Sequence, residues 1–144
     1  MSSKFLCPDC LTVYDGELLN HDFSSGYDIP CPRSDCEGNA FEIDELMIPT
    51  IQTLISKGYT TDFCCSGHYE KFLSYGYICF SEYIEDLPSL PKGFYKEIGN
   101  NGKLIIRSNR ILNRKPKSPN DFYDICDEAK ELYKWALSLP MYEY

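Results

Sequence analysis

A chain of 144 residues with 43% hydrophobic and 15% aromatic side chains has the length of about one domain and enough apolar material for a core, which excludes disorder. A formal net charge of −8 excludes broad affinity for nucleic acid, whose phosphates would repel the chain. No stretch approaches the roughly 20 apolar residues of a membrane span. The N-terminus, MSSKFLCPDC, lacks the apolar run of a signal peptide, so a cytoplasmic protein is expected.

Eight cysteines would read as disulfides in an exported domain, but a reducing cytosol keeps thiols free and favours metal ligation for some of them. Residues 1–40 show little helical periodicity and read as short strands joined by turns. Cys7-Pro8-Asp9-Cys10 and Cys31-Pro32-Arg33-Ser34-Asp35-Cys36 form two tight loops, each able to bring two thiolates to one ion. Zinc takes four such ligands tetrahedrally, at about 2.3 Å to sulfur. Leu11 to Tyr14 and Leu18 to Phe23 are expected to pair as a ribbon about an Asp15-Gly16 turn. Cys7, Cys10, Cys31 and Cys36 are therefore the expected zinc ligands, in a zinc ribbon. Four thiolates leave no position for an activated water, so this zinc is expected to fold the module and not to catalyse. His21, between the loops, reads as a solvent-facing residue.

A helix is expected over 44–57, with Asp44 as N-cap and Met47, Ile51, Leu54 and Ile55 on one face. Pro49 is comfortable only in a first turn, so the helix can begin as late as Ile48, and Gly58 closes it. Strands follow at Tyr59 to Cys65, Gly76 to Tyr83, Phe94 to Ile98 and Lys103 to Ser108. Asn101-Gly102 makes the last two a hairpin. In the last helix Ser118 caps and Pro119 sits at N1. Phe122, Ile125, Cys126, Ala129, Leu132, Tyr133, Ala136 and Leu137 hold its apolar face, up to Pro140. The expected fold is α+β: a zinc ribbon over 1–40, then a ligand-binding domain over 41–144, a small, mainly antiparallel sheet covered by two helices.

The segment Tyr59-Thr-Thr-Asp-Phe-Cys-Cys-Ser-Gly-His68 is the most unusual. Alternation puts Thr60, Asp62 and Cys64 on one face and Thr61, Phe63 and Cys65 on the other. Ser66, Gly67 and His68 then leave the strand end, where backbone N–H groups, a hydroxyl and an imidazole meet an anion. Six basic residues, Lys103, Arg107, Arg110, Arg114, Lys115 and Lys117, lie in a stretch with no acid from Ile98 through Asn120. Such a strip on an acidic protein suits a small anion better than a long polyanion. Three readings stand side by side. The loop and strip form a ligand-binding corner; or Cys64 or Cys65 is a nucleophile with His68 as base; or the cysteines are small core residues.

From Phe63 through His68 the chain resembles a group of small, mostly uncharacterised zinc-ribbon proteins of Gram-positive bacteria and their phages that carry Phe-Cys-Cys-Ser-Gly-His. The resemblance covers roughly residues 5–84 and implies a cytoplasmic, phage or mobile-element setting. Cys65-Ser66-Gly67 is also similar to the Ser-Cys-Ser-Gly-Arg loop of wybutosine-tRNA methyltransferases, with His68 in place of the arginine. The expected function is binding, without turnover, of a small anionic, nucleotide-type ligand, such as a host signalling nucleotide sequestered by a phage protein. The expected contacts are Ser66, Gly67, His68, Arg107 and Arg110, with Tyr69 or Tyr77 stacking. The alternatives are a cysteine- or histidine-assisted hydrolase or transferase, and an acidic adaptor gripping a host protein.

Overall fold

The computed structural model describes residues 4–16, 29–68, 74–110 and 119–143. The chain order is β1 (Lys4–Leu6), β2 (Val13–Asp15), β3 (Ile29–Pro30), β4 (Asn39–Ile43), a 3-10 turn (Glu45–Met47) and α1 (Ile48–Ser56). Then come β5 (Thr61–His68), β6 (Ser74–Phe80), β7 (Phe94–Ile98), β8 (Leu104–Ser108) and α2 (Pro119–Ser138). Among the described residues the fold is α+β, with two helices and two antiparallel sheets, ordered β2-β1-β4-β3 and β5-β6-β8-β7.

The first sheet has little to hold it but sulfur. Its own core is Phe5, Cys7, Ile29, Cys31 and Ala40, too small to stabilise strands this short. Alternation turns Leu6 the other way, and Leu6 and Ile43 join the main core with both helices. β4 thus runs across residue 40, where the sequence suggested a boundary. β2 pairs with β1, Phe5 opposite Tyr14; its expected partner, 18–23, lies outside the described residues.

Local chemistry sets the first helix. The Asp44 side chain accepts from the Leu46 N–H at 3.2 Å and starts the 3-10 turn. Pro49 falls in the first turn of α1, where its missing N–H costs nothing. Gly58 closes the helix at a φ of 93°, its N–H bonded to the Ile55 carbonyl at 3.0 Å. Beside it, the Lys57 ammonium donates to the carbonyls of Ala136, Leu137 and Leu139 at 3.0, 2.7 and 2.7 Å. A cation on these end carbonyls satisfies orphan acceptors and opposes the negative pole of α2.

The second sheet departs from simple alternation. A bulge between Thr61 and Phe63 leaves Thr61 opposite Phe80 while Cys64 stands opposite Ile78. Thr61 and Cys64 therefore share the helix-side face, contrary to the expected pairing of Thr61 with Phe63 and Cys65. β5 also continues through Ser66, Gly67 and His68, which pair with β6 and do not leave the strand end: Gly67 is opposite Tyr75 and His68 opposite Ser74. The Asn101-Gly102 hairpin forms as expected, with Ile98 opposite Leu104 and Gly102 at a φ of 79°.

α2 presents Ile125, Glu128, Ala129, Leu132, Trp135 and Ala136 to the core, an unbroken i, i+3, i+4, i+7 stripe that Leu139 extends just past its end. Tyr133 and Leu137, expected on this face, are exposed; Trp135 and Glu128 take their place. The Ser118 cap lies outside the described residues. Glu128 is tolerated because its carboxylate accepts from the Ser108 hydroxyl at 2.8 Å and the Gly76 N–H at 3.1 Å, tying α2 to β8 and β6. Burial still holds its pKa above the usual carboxylate value, against the Ser108 and Gly76 hydrogen bonds and the Arg110 charge, which lower it.

The sign of the pH dependence follows. A raised folded-state pKa means that the folded protein binds a proton the unfolded chain releases. Stability from this group is full below the unfolded carboxyl value and declines as pH rises through the folded one. Urea unfolding from about pH 4 to pH 8 should therefore show a falling contribution that Glu128→Gln abolishes while keeping the fold. Glu128→Ala, which orphans the Ser108 hydroxyl and Gly76 N–H, should cost about 1–3 kcal/mol at neutral pH. Equal pH profiles for wild type and Glu128→Gln would refute this reading.

Candidate functional site

Each pair of cysteines is placed by a backbone turn. After β1, the Cys7 N–H bonds to the Thr12 carbonyl at 3.1 Å and the Leu11 N–H to the Cys7 carbonyl at 2.7 Å, closing a loop that carries Cys10. After β3, the Cys31 N–H bonds to the Gly38 carbonyl at 2.8 Å and the Cys36 N–H to the Arg33 carbonyl at 3.2 Å. β1 and β3 flank β4 on either side, so the two loops emerge together. The sulfurs of Cys7, Cys10, Cys31 and Cys36 all lie within 4.8 Å of one another.

Two separations show what the cluster suits. Cys7 Sγ lies 3.7 Å from Cys36 Sγ, and Cys10 Sγ 3.7 Å from Cys31 Sγ. A disulfide needs about 2.05 Å, and all four thiols are free. Four sulfurs at about 2.3 Å from a central tetrahedral ion would stand roughly 3.8 Å apart. The cluster can therefore hold a metal ion. Its thiols are unequal: burial pushes Cys7 up to about 12, whereas hydrogen bonding from Thr12 pulls Cys10 down to about 6.

Two neighbours of this centre escaped the sequence reading. The Tyr14 hydroxyl lies 3.2 Å from Cys31 Sγ, and Thr12 Oγ1 lies 3.3 Å from Cys10 Sγ. In addition the Gly38 N–H donates to Cys36 Sγ at 3.4 Å. Such partners orient metal-bound sulfur and temper its charge. Alternation from Thr12 to Tyr14 along the strand was their one signal in the sequence. His21 lies outside the described residues.

The expected ligand residues divide between the two faces of the second sheet. Cys64, Ile78 and Ile106 form one cross-strand row, on the face that packs against α1 and α2. Cys65, Tyr77, Arg107 and Tyr95 form the next row, on the opposite face, where no helix packs among the described residues. Arg107 lies on the open face with Cys65, whereas Cys64 lies on the helix side; the backbone of Ser66, Gly67 and His68 continues β5 alongside β6.

On the open face the Arg107 guanidinium lies 5.3 Å from the Tyr77 ring centroid, a cation–π stack. Its Nε donates to Glu97, which holds the guanidinium pKa above its ordinary value. Beyond Arg107 a recess of about 380 Å³ opens towards the hairpin tip, lined among others by Ile105, Asn100 and Asn101. Lys103 pairs with Asp62 at the margin. Arg110, at the end of β8, stands 3.9 Å from Asp124 and 3.8 Å from Glu128 of α2. Tyr69, Arg114, Lys115 and Lys117 lie outside the described residues.

Cys64 of β5 is poorly placed for nucleophilic chemistry: burial pushes its thiol up to about 12, so it is protonated at neutral pH. Cys64 faces the helices while Cys65 and Cys79 face away.

Comparison with protein-family models, curated proteins and solved structures finds no match for the chain.

Cysteine substitutions separate the roles. Purified without chelator, the protein should carry about one metal ion per chain by elemental analysis, and Cys7→Ser or Cys31→Ser should lose it, with loss of protease resistance in the first 40 or so residues. Cys126→Ala, on α2, should keep the metal and cost only packing. Metal retained by Cys31→Ser but released by Cys126→Ala would reverse the assignment.

Proposed function

We propose that the chain is a zinc-ribbon protein that binds a small anionic ligand of nucleotide type, without turnover, on the open face of its second sheet. One observation carries this reading: Arg107 stacks on Tyr77, with half-exposed Tyr95 beside it in the same row and the 380 Å³ recess next to it. An aromatic ring beside a guanidinium offers a stacking surface for a base and a forked donor for phosphate. Asn100 and Asn101 add amides that can recognise polar edges.

Zinc is the ion that four thiolates at these separations suit best, and its role is to fold the first sheet. Of the residues singled out in the sequence, Arg107 and Tyr77 carry the ligand reading. Arg110 is left to the helix side, where two carboxylates already flank it. In the phage setting implied by the Phe-Cys-Cys-Ser-Gly-His resemblance, binding without turnover would sequester a signalling nucleotide. Against the hydrolase alternative stands the protonated Cys64 thiol.

Titration calorimetry against mono-, di- and cyclic nucleotides tests the site. Arg107→Ala should weaken binding about 10- to 100-fold, the worth of one charge-assisted bidentate contact. Glu97→Gln, which removes the carboxylate competing for Arg107, should strengthen binding several-fold, and Arg110→Ala should leave it unchanged. Binding that survives Arg107→Ala would take the site off this face. Ligand recovered cleaved or modified would instead establish an enzyme.

A further inference from the structure

A second concave surface lies away from both the thiols and the open sheet face. It is a groove of about 470 Å³ between residues 86–88 and 140–143. Its floor is Tyr59, fully buried, whose hydroxyl donates to the Pro140 carbonyl at 2.8 Å. The Tyr142 ring stands edge-on to Tyr59 with centroids 5.2 Å apart. Leu87, Pro88 and Met141 make the walls. Met141 is 64% exposed and neighbouring Tyr83 66% exposed, although the Tyr83 carbonyl accepts from the Tyr142 hydroxyl.

These walls are held in place before anything binds. The Tyr142 N–H bonds to the Lys57 carbonyl at 2.8 Å, and Pro88 and Pro140 restrict the backbone on opposite sides. The apolar surface is preformed, so a binder pays little to order it. An apolar groove with exposed methionine and tyrosine is otherwise a liability in water.

The rim selects the charge of the occupant. Asp86 and Glu143 lie at the groove itself, and Glu82 and Glu85 are exposed nearby in the sequence. No lysine or arginine occurs from Glu82 through Pro91. Lys57 is engaged on the carbonyls ending α2, and Lys96 offsets the charge of Asp86, which leaves Glu82, Glu85 and Glu143 to set the sign. An anionic or strongly acidic partner would be repelled, and a cationic one attracted.

We propose that this groove docks an extended apolar segment flanked by lysine or arginine on a partner protein. Apolar side chains of that segment enter between Leu87, Pro88 and Met141, and its basic flanks meet Glu143 and Glu85. Recognition of extended, proline-compatible segments by rigid aromatic and proline walls needs no rearrangement of either chain. The site is independent of the ligand face at Arg107.

Fluorescence anisotropy tests it on the metal-loaded full chain. The probe is a short fluorescein-labelled peptide of leucines and prolines ending in arginines, with a control in which the arginines are glutamates. The basic peptide should bind and lose affinity with added salt, and the acidic one should not bind. Met141→Ser should weaken binding about tenfold; Glu85→Gln with Glu143→Gln should weaken it about fivefold and flatten the salt dependence. Metal content and melting temperature, measured in parallel, show that both variants remain folded. No binding of the basic peptide, equal binding of the acidic one, or indifference to Met141→Ser would each overturn the proposal. So would a Met141-dependent dimer in sedimentation, which would make a second copy of the chain the occupant.

Discussion

Four thiols drawn within 4.8 Å of one another are the constraint on which the first third of the chain depends. Two of the five buried side chains in the core of the first sheet are themselves members of this set. The strands there are two to five residues long, too short to persist on their own hydrogen bonds. A tetrahedral ion held by these thiols would supply what the side chains cannot: a junction between the loop after β1 and the loop after β3. β4 lies between its two partners and carries Ile43 into the main core, so such a junction would set where the first sheet meets the helices.

The second sheet is organised by sidedness. Its helix side is centred on Ile78, Phe80, Leu104 and Ile106, with Glu128 of α2 hydrogen-bonded to both Ser108 and Gly76 beside them. Its open side carries Tyr77, Arg107, Tyr95 and Glu97. The bulge at Asp62 decides which residues of β5 go where. It also leaves the Asp62 carboxylate paired with Lys103 across the sheet. Groups a few residues apart in the chain are therefore separated by the thickness of a sheet, and this divides the arginines and cysteines into different chemical settings.

What could be read in advance was what local chemistry decides. Asp44, Pro49 and Gly58 mark the first helix by their own capping and dihedral preferences, and Asn101-Gly102 marks its hairpin by a positive φ. The four thiol ligands were legible because the turns that gather them are short. Long-range effects were not. Glu128 looks like a surface residue until Ser108 and Gly76, 20 and 52 positions away, supply its hydrogen bonds; with it goes the true register of α2, which buries Trp135 in place of Tyr133 and Leu137. Ser66 to His68 carry turn-forming residues, yet pairing with β6 keeps them extended. No spacing rule foretold that one extra residue at Asp62 would shift the alternation.

The loop holding Cys7 and Cys10 ends in Leu11, whose φ of 61° is left-handed, a conformation that costs a residue with a Cβ about 1–3 kcal/mol. The Leu11 carbonyl in turn accepts from Gln52 Nε2 of α1 at 2.8 Å. The loop therefore runs between two anchors, the clustered sulfurs at one end and Gln52 of α1 at the other. An ion bound by those sulfurs would be linked to the helix layer through a single leucine.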